Sequence, residues 1–373
     1  VKMKFDDLDI QWTQKSNELI LKCVYGSYFF RMPHTWELEK VSKNLLRLAE
    51  ILIFLPFVKE NMMQLIHSTN WEQRSSKGKI GLSFSGGIDS AAAAILLPKE
   101  ETVLCYLKRD GLKSSLCHEN QIRCLDWFKD QGYEGYVIET NIELIRNNLK
   151  DSDGKQRMVG FPTDYVCALP IYLLADHLGL SYVTTGTVLD STFLLGGYKY
   201  RDFTKSSHYI GYDALFKSAG LPIFWTVGGC TEIVTSIICE KNGIPAQSCL
   251  RRDEGECGKC YKCFRKNAYR GGAVNLSKEV EKILAKKPLK MGASMIFISQ
   301  KRNINEVKSM YPDVKVDFEN GYYSEAYRGA LNLPVEYRDK ILDNIEKNVE
   351  PMTEKEVEML KMFDILPHRR TQK

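Results

Sequence analysis

From Lys79 onward four short apolar runs, KIGLSFS (79–85), TVLCYL (102–107), GYVIET (135–140) and SYVTTGT (181–187), alternate with stretches of helical spacing at 89–98, 117–130, 141–149 and 163–178. No other feature restricts the fold so strongly. Strand and helix in alternation argue for a parallel sheet covered on both faces by helices. Sheets of that kind take ligands beyond the carboxyl ends of their strands. The expected fold class is α/β, a parallel sheet with helices on both faces.

The 373 residues leave room for additions at both ends of such a core. Residues 1–75 read as an N-terminal α+β extension: strand-like pieces DLDIQW (7–12) and NELILKCVYGSYFFRM (17–32), then a helix from Thr35 to Leu55. The greasy stretch LLRLAEILIFLPFV at 45–58 contains Arg47 and Glu50 and is shorter than the roughly 20 apolar residues of a bilayer span. It reads as a buried helix ended by Pro56, and no membrane partner is expected. Residues 76–272 form the expected core, and 273–373 a mainly helical extension with helices in 277–290 and 334–363 around a short strand, SMIFISQ (294–300). The extensions are candidate surfaces for a protein partner. No basic, apolar, small-residue leader opens the sequence, so a cytoplasmic location is expected. The net charge of +5 is too small for the whole surface to wrap nucleic acid.

At the end of the first core strand, SFSGGIDS (83–90) places two glycines between Ser83 and an alanine-rich helix. Glycine admits positive φ and lets an anion approach the backbone. The first amides of a helix are unpaired donors at the positive end of its dipole, so Ser83, Ser85, Gly86, Gly87, Asp89 and Ser90 read as a phosphate cradle. Asp89 is a candidate holder of Mg2+, and Asp89 and Ser90 are the candidate catalytic residues. No Gly-Lys-Ser/Thr follows, so this is not a Walker loop. The plain alternative is a glycine turn with a serine or aspartate cap.

Of eleven cysteines, seven (Cys23, Cys105, Cys117, Cys124, Cys167, Cys230, Cys239) are scattered and read as small buried hydrophobes. The other four, Cys249, Cys257, Cys260 and Cys263, are separated by seven, two and two residues. Four thiolates close a tetrahedral shell around Zn2+, a structural site with no open position. An iron–sulfur motif would need a further cysteine where Asn267 stands and a proline at Ala268. A redox dithiol is the remaining alternative. Residues 249–270 contain seven basic and three acidic side chains, an excess that could meet nucleic acid, an acidic protein or nucleotide phosphates.

SGGIDS resembles the SGGxDS signature of the N-type ATP pyrophosphatases, the PP-loop superfamily. With the cysteine spacing, residues 78–270 resemble the 7-cyano-7-deazaguanine synthase (QueC) family. PIFWTVGGCTEIVTSIICEKNGIPAQSCL (222–250) is similar to that family's segment leading into its zinc cysteines, and TGTVLDS (185–191) to the strand end that opens its substrate pocket. The resemblance implies an ATP-dependent ligase: ATP is split between the α and β phosphates, an acceptor carboxylate or amide oxygen is adenylated, and a nitrogen nucleophile displaces AMP to give an amide or nitrile. It implies ATP, Mg2+ and Zn2+ as cofactors and a 7-deazapurine, another small molecule or a modified base as acceptor.

The sequence departs from that family in three places. GFPTDY (160–165) has Thr163 and Asp164 where the family carries a basic Pro-Gly-Arg-Asn-like stretch, LLGGYKYRDF (194–203) replaces the deazaguanine-reading signature, and Cys230 stands where a lysine precedes the later helix. Candidate substrate residues are therefore Asp190, Tyr198, Tyr200, Arg201, Asp202 and His208, in a polar, aromatic loop after a strand end. His118 and Glu119 read as helix-surface groups. Two further functions stay open: a catalytically weakened, nucleotide-binding QueC-like component of an antiviral defence system, whose bolder form modifies a protein terminus, and a PP-loop tRNA-modifying enzyme.

Overall fold

The structure, a computed structural model, describes residues 3–75, 78–110, 117–145, 165–270, 275–286, 288–302 and 326–366. Thr163 and Asp164 lie outside the described residues, as do the ends of the helical stretches expected at 141–149 and 163–178.

Eight strands form one sheet. Three come from the N-terminal segment, β1 (Gln11–Lys15), β2 (Glu18–Cys23) and β3 (Gly26–Arg31), four from the alternating runs, β4 (Lys79–Ser83), β5 (Thr102–Arg109), β6 (Glu134–Thr140) and β7 (Leu180–Thr185), and a fifth core strand, β8 (Ile223–Phe224), follows them. The spatial order is β1-β2-β3-β6-β5-β4-β7-β8. The last five strands of that order run parallel, while β1, β2 and β3 form an antiparallel meander joined to β6 through Phe30 opposite Thr140. The Phe29 amide donates to Asn141 Oδ1 at 2.8 Å, reinforcing that junction. The N-terminal strands thus extend the sheet of the alternating region.

Alternate residues of a strand face opposite ways, and β5 uses this to separate two cores. Val103 and Cys105 join the core under α1 (Lys43–Phe54) and α5 (Leu169–Leu178). Leu104 and Tyr106 join the other, with α3 (Ile88–Leu96), α4 (Glu119–Asp130) and α7 (Glu232–Lys241). Helices therefore cover both faces. Between α1 and α3 lies the short α2 (Met62–Ser68), and α6 (Ser207–Ser218) precedes β8. The helix expected from Thr35 starts later because Ser42 caps α1 by accepting from the Asn44 amide at 3.2 Å. It ends at Phe54, where Leu55–Phe57, containing Pro56, tightens to a 3-10 turn.

Beyond the cysteines follow α8 (Tyr261–Arg270), α9 (Lys278–Leu284), α10 (Gly292–Arg302), α11 (Arg338–Glu346) and α12 (Glu354–Lys361). A two-stranded parallel pair, β9 (Ala326–Tyr327) with β10 (Glu350–Pro351), lies among them. The strand expected at 294–300 is α10 instead. Ala293, Met295, Ile296, Phe297 and Ile298 are all buried, and a short apolar run buried all round does not distinguish strand from helix by its periodicity. His118 also differs from expectation. It is buried, paired with the Tyr106 hydroxyl and with the Arg109 carbonyl, whereas Glu119 is exposed. Among the described residues no helix is long and apolar enough to cross a membrane.

Candidate functional site

At the carboxyl end of β4 the chain turns through Ser85, Gly86 and Gly87 into α3. Gly86 has φ +64°, and a Cβ there would stand 2.6 Å from the Gln121 Cβ on α4, so only glycine fits. The turn is shaped by its own hydroxyls. Ser90 Oγ accepts from the Ser85 amide at 3.1 Å, donates to the Gly87 carbonyl at 3.0 Å, and lies 3.0 Å from Ser85 Oγ. Ser85, Gly87, Asp89 and Ser90 line an open cleft of about 310 Å³ with Ser83, Arg109, Gln121, Thr185 and Lys262. The N-terminus of α3 thus opens onto a cavity lined by donors. Gln121 Nε2 donates to the carbonyls of Gln247 (2.9 Å) and Cys249 (3.1 Å), tying the chain that leads into the cysteines to α4 beside the glycine turn.

A smaller apolar slot adjoins this cleft, lined by Phe84, Tyr106 and Leu107, and the two share Ser83, Ser85, Arg109, Cys167 and Leu250. Polar walls therefore give way to apolar ones across a few residues at the ends of β4 and β5. Arg109 is held at that boundary by Glu143, 3.3 Å away and buried.

Behind Asp89 stands a buried polar network. Thr235 Oγ1 on α7 donates to Asp89 Oδ1 at 2.6 Å. One turn earlier Glu232 pairs with Arg265 of α8 at 3.1 Å, both side chains being under a tenth exposed. Lys266 Nζ donates to Ser236 Oγ (3.1 Å) and lies 3.4 Å from the Glu232 carbonyl. Burial by itself would raise the Glu232 pKa, but the Arg265 and Lys266 charges outweigh it and hold the carboxyl below its usual value. Arg265 moves the other way: burial opposes its charge, yet Glu232 keeps its pKa raised.

The sulfurs of Cys249, Cys257, Cys260 and Cys263 all lie within 4.8 Å of one another. Cys263 Sγ is 3.4 Å from Cys260 Sγ and 3.8 Å from Cys257 Sγ. A tetrahedron with zinc–sulfur bonds of about 2.3 Å has edges of about 3.8 Å, so the four fit one ion. The hydrogen bond between Cys260 and Cys263 lowers the Cys260 pKa and raises that of Cys263, and a metal would need both as thiolates. α8 begins within this cluster, and its stacked Tyr261 and Phe264 rings anchor it.

The six candidate substrate residues are not among those lining the cleft. Asp190 is fully buried, accepting from the Glu232 amide (3.0 Å) and from Ser294 Oγ (2.9 Å), which ties α7 to α10. Arg201 donates to the carbonyls of Thr192 and Ser191, closing its own loop. Asp202 is exposed and caps the turn at Thr204. Tyr200 stacks on Phe193, and the Tyr198 carbonyl accepts from the Ile365 amide at 2.8 Å. His208 Nε2 lies 3.2 Å from the Tyr165 hydroxyl in an aromatic group with Tyr212, Phe203 and Trp225. The structure instead brings Arg109, Gln121 and Lys262 to the cleft beside the glycine turn, and Thr235 to Asp89. Two signals for them were present in the sequence: Arg109 ends a parallel strand, and Lys262 belongs to the basic excess around the cysteines.

A protein-family model described as "Family of unknown function (DUF6395)" matches residues 211–364. The matched span holds α7, the four cysteines and α8, and it begins after the Ser85–Gly87 turn. No curated protein matches the chain.

Proposed function

We propose that this protein is an ATP-dependent ligase of the N-type ATP pyrophosphatase class, similar to the 7-cyano-7-deazaguanine synthases, with an acceptor pocket of its own. The observation that carries this reading is the Ser85–Gly86–Gly87 turn feeding a helix N-terminus into a cleft that joins Asp89, Ser90 and Lys262 to an apolar slot.

The base of ATP lies in the slot between Phe84, Leu107 and Leu250, and the polyphosphate tail lies over Gly86 and Gly87 against the first turn of α3. Gly86 lets the turn pack against Gln121 of α4, Ser90 holds the turn's shape through the Ser85 amide and the Gly87 carbonyl, and the helix dipole supplies positive potential. The acceptor's carboxylate or amide oxygen attacks the α-phosphorus. As that bond forms, the bond to the α–β bridging oxygen breaks and its electron pair leaves with pyrophosphate. A nitrogen nucleophile then expels AMP, a far better leaving group than carboxylate oxygen. Asp89, oriented by Thr235, is the residue that would hold Mg2+, which when bound neutralises charge gathering on the departing pyrophosphate. The four cysteines would hold Zn2+ in a structural role, fixing the loop that carries α8. A small molecule or modified base is the proposed acceptor, and the reducing cytoplasm, where thiols persist, the proposed setting.

The test measures pyrophosphate release by the full chain with ATP, Mg2+ and 7-carboxy-7-deazaguanine. Release above the no-enzyme rate is expected, falling by about 100-fold or more in Asp89→Ala, the scale of losing one transition-state electrostatic group. ATP binding without turnover on this acceptor would point to a different acceptor. A protein that binds no ATP would remove the reading altogether.

A further inference from the structure

Where the resembling enzymes carry a lysine before the later helix, this chain has Cys230, which is fully buried and does not line the cleft. A polyphosphate tail still brings several negative charges into the cavity. The cation lining it besides Arg109 is Lys262, which stands between Cys260 and Cys263. Arg109 is already engaged by Glu143. Lys262 is different: among the described residues its ammonium makes no ion pair or side-chain hydrogen bond, and it is exposed to solvent through the cleft. Its neighbours on α8 are committed elsewhere, Arg265 to Glu232 and Lys266 to Ser236. Lys262 and Asp89 line the same cleft, so the free charge shares the cavity onto which the turn opens.

The placement is built. Lys262 follows Cys260 by two positions and precedes Cys263 by one, so two members of the sulfur cluster bracket its backbone. Three residues later Arg265 anchors the same helix to α7, whose Thr235 holds Asp89. The turn through Cys260 and Cys263 thereby carries two members of the sulfur cluster and a cation that lines the cleft.

We propose that Lys262 is the cleft's polyphosphate-binding cation, presented to the β and γ phosphates by the cysteine turn. The proposal rests on the nucleotide reading given above. An ammonium acts on phosphate as a point charge, so its contribution grows with the number of phosphates and is small for adenosine, which has none.

Calorimetric titration of the full-length protein with adenosine and with α,β-methylene-ATP plus Mg2+ tests this. Lys262→Met keeps the length and removes the charge, and Lys262→Arg restores it. The expected result is a loss of about tenfold in triphosphate affinity for Lys262→Met, unchanged adenosine affinity, recovery to within about threefold in Lys262→Arg, and unchanged zinc content. Equal triphosphate affinity in wild type and Lys262→Met overturns the role of Lys262 while leaving the nucleotide site standing. Equal losses for adenosine and triphosphate also overturn it, since they report a disturbed fold. A wild-type protein that binds neither ligand overturns both this role and the nucleotide site.

Discussion

Glu232 shows how a single buried side chain in this protein has its state set by its neighbours. Its carboxylate lies between Arg265 and the Lys266 charge with little access to water. Removing one partner of a buried pair leaves the other charge uncompensated, at a cost of about 3–5 kcal/mol. Glu232→Gln is therefore expected to lower unfolding free energy by about that amount at pH 7, read by urea denaturation. Because the folded pKa is depressed, the carboxylate's contribution is fully present above the unfolded pKa of about 4.3 and is lost as pH falls through the folded value. The gap between wild type and variant should be wide at pH 7 and should narrow below about pH 4. A gap that is constant with pH would mean that the pair does not contribute through its charge.

At the scale of elements, α8 is the joint of the site. It starts inside the cysteine cluster, presents Lys262 to the cleft and pins α7 through Arg265. A loop of this kind has little core of its own, so a metal bound by four thiolates contributes directly to its folding. Elemental analysis is expected to give about one zinc per chain, and Cys257→Ser should lose it together with several degrees of melting temperature. A brown, iron-bearing protein, or full zinc retention in the variant, would contradict that assignment. The element boundaries also separate what local sequence specifies from what it does not. α3 was legible because glycines precede an alanine run, and its four consecutive alanines are all fully buried. α10 was not, because its apolar residues are buried all round, with Gly197, α8 and Ile365 packed against the helix.

On the scale of the whole molecule, the C-terminal segment is welded to the edge of the sheet. Trp225, just past β8, bridges to Leu331, the Arg328 amide donates to the Gly229 carbonyl at 2.8 Å, and Tyr337 Oη donates to the Gly78 carbonyl at 2.7 Å. The weld depends on a backbone approach that tolerates no side chain: a Cβ on Gly229 would stand 2.5 Å from the Gly329 nitrogen and closer still to its carbonyl oxygen. Backbone cannot rotate away as a long side chain can. Gly229→Ala should therefore cost about 1–3 kcal/mol by chemical denaturation, the range for overpacking. It should also raise proteolytic cleavage within the segment after residue 302. Wild-type stability and cleavage would show that the two backbones separate without cost.

Taken by itself, the sequence determined the parallel core, the glycine turn into α3 and the sulfur cluster, because each depends on residues close along the chain: strand runs of one period, two glycines before a helix, cysteines at fixed spacing. Which residues face the cleft was decided by tertiary structure. Asp190 is 101 positions from Asp89 and ended up inside the protein as a brace for α7, while Lys262, 173 positions from Asp89, reached the cavity. No local pattern encodes that exchange. It follows from how α7 and α8 pack behind the turn, where charges settle either into buried pairs or into the open cleft.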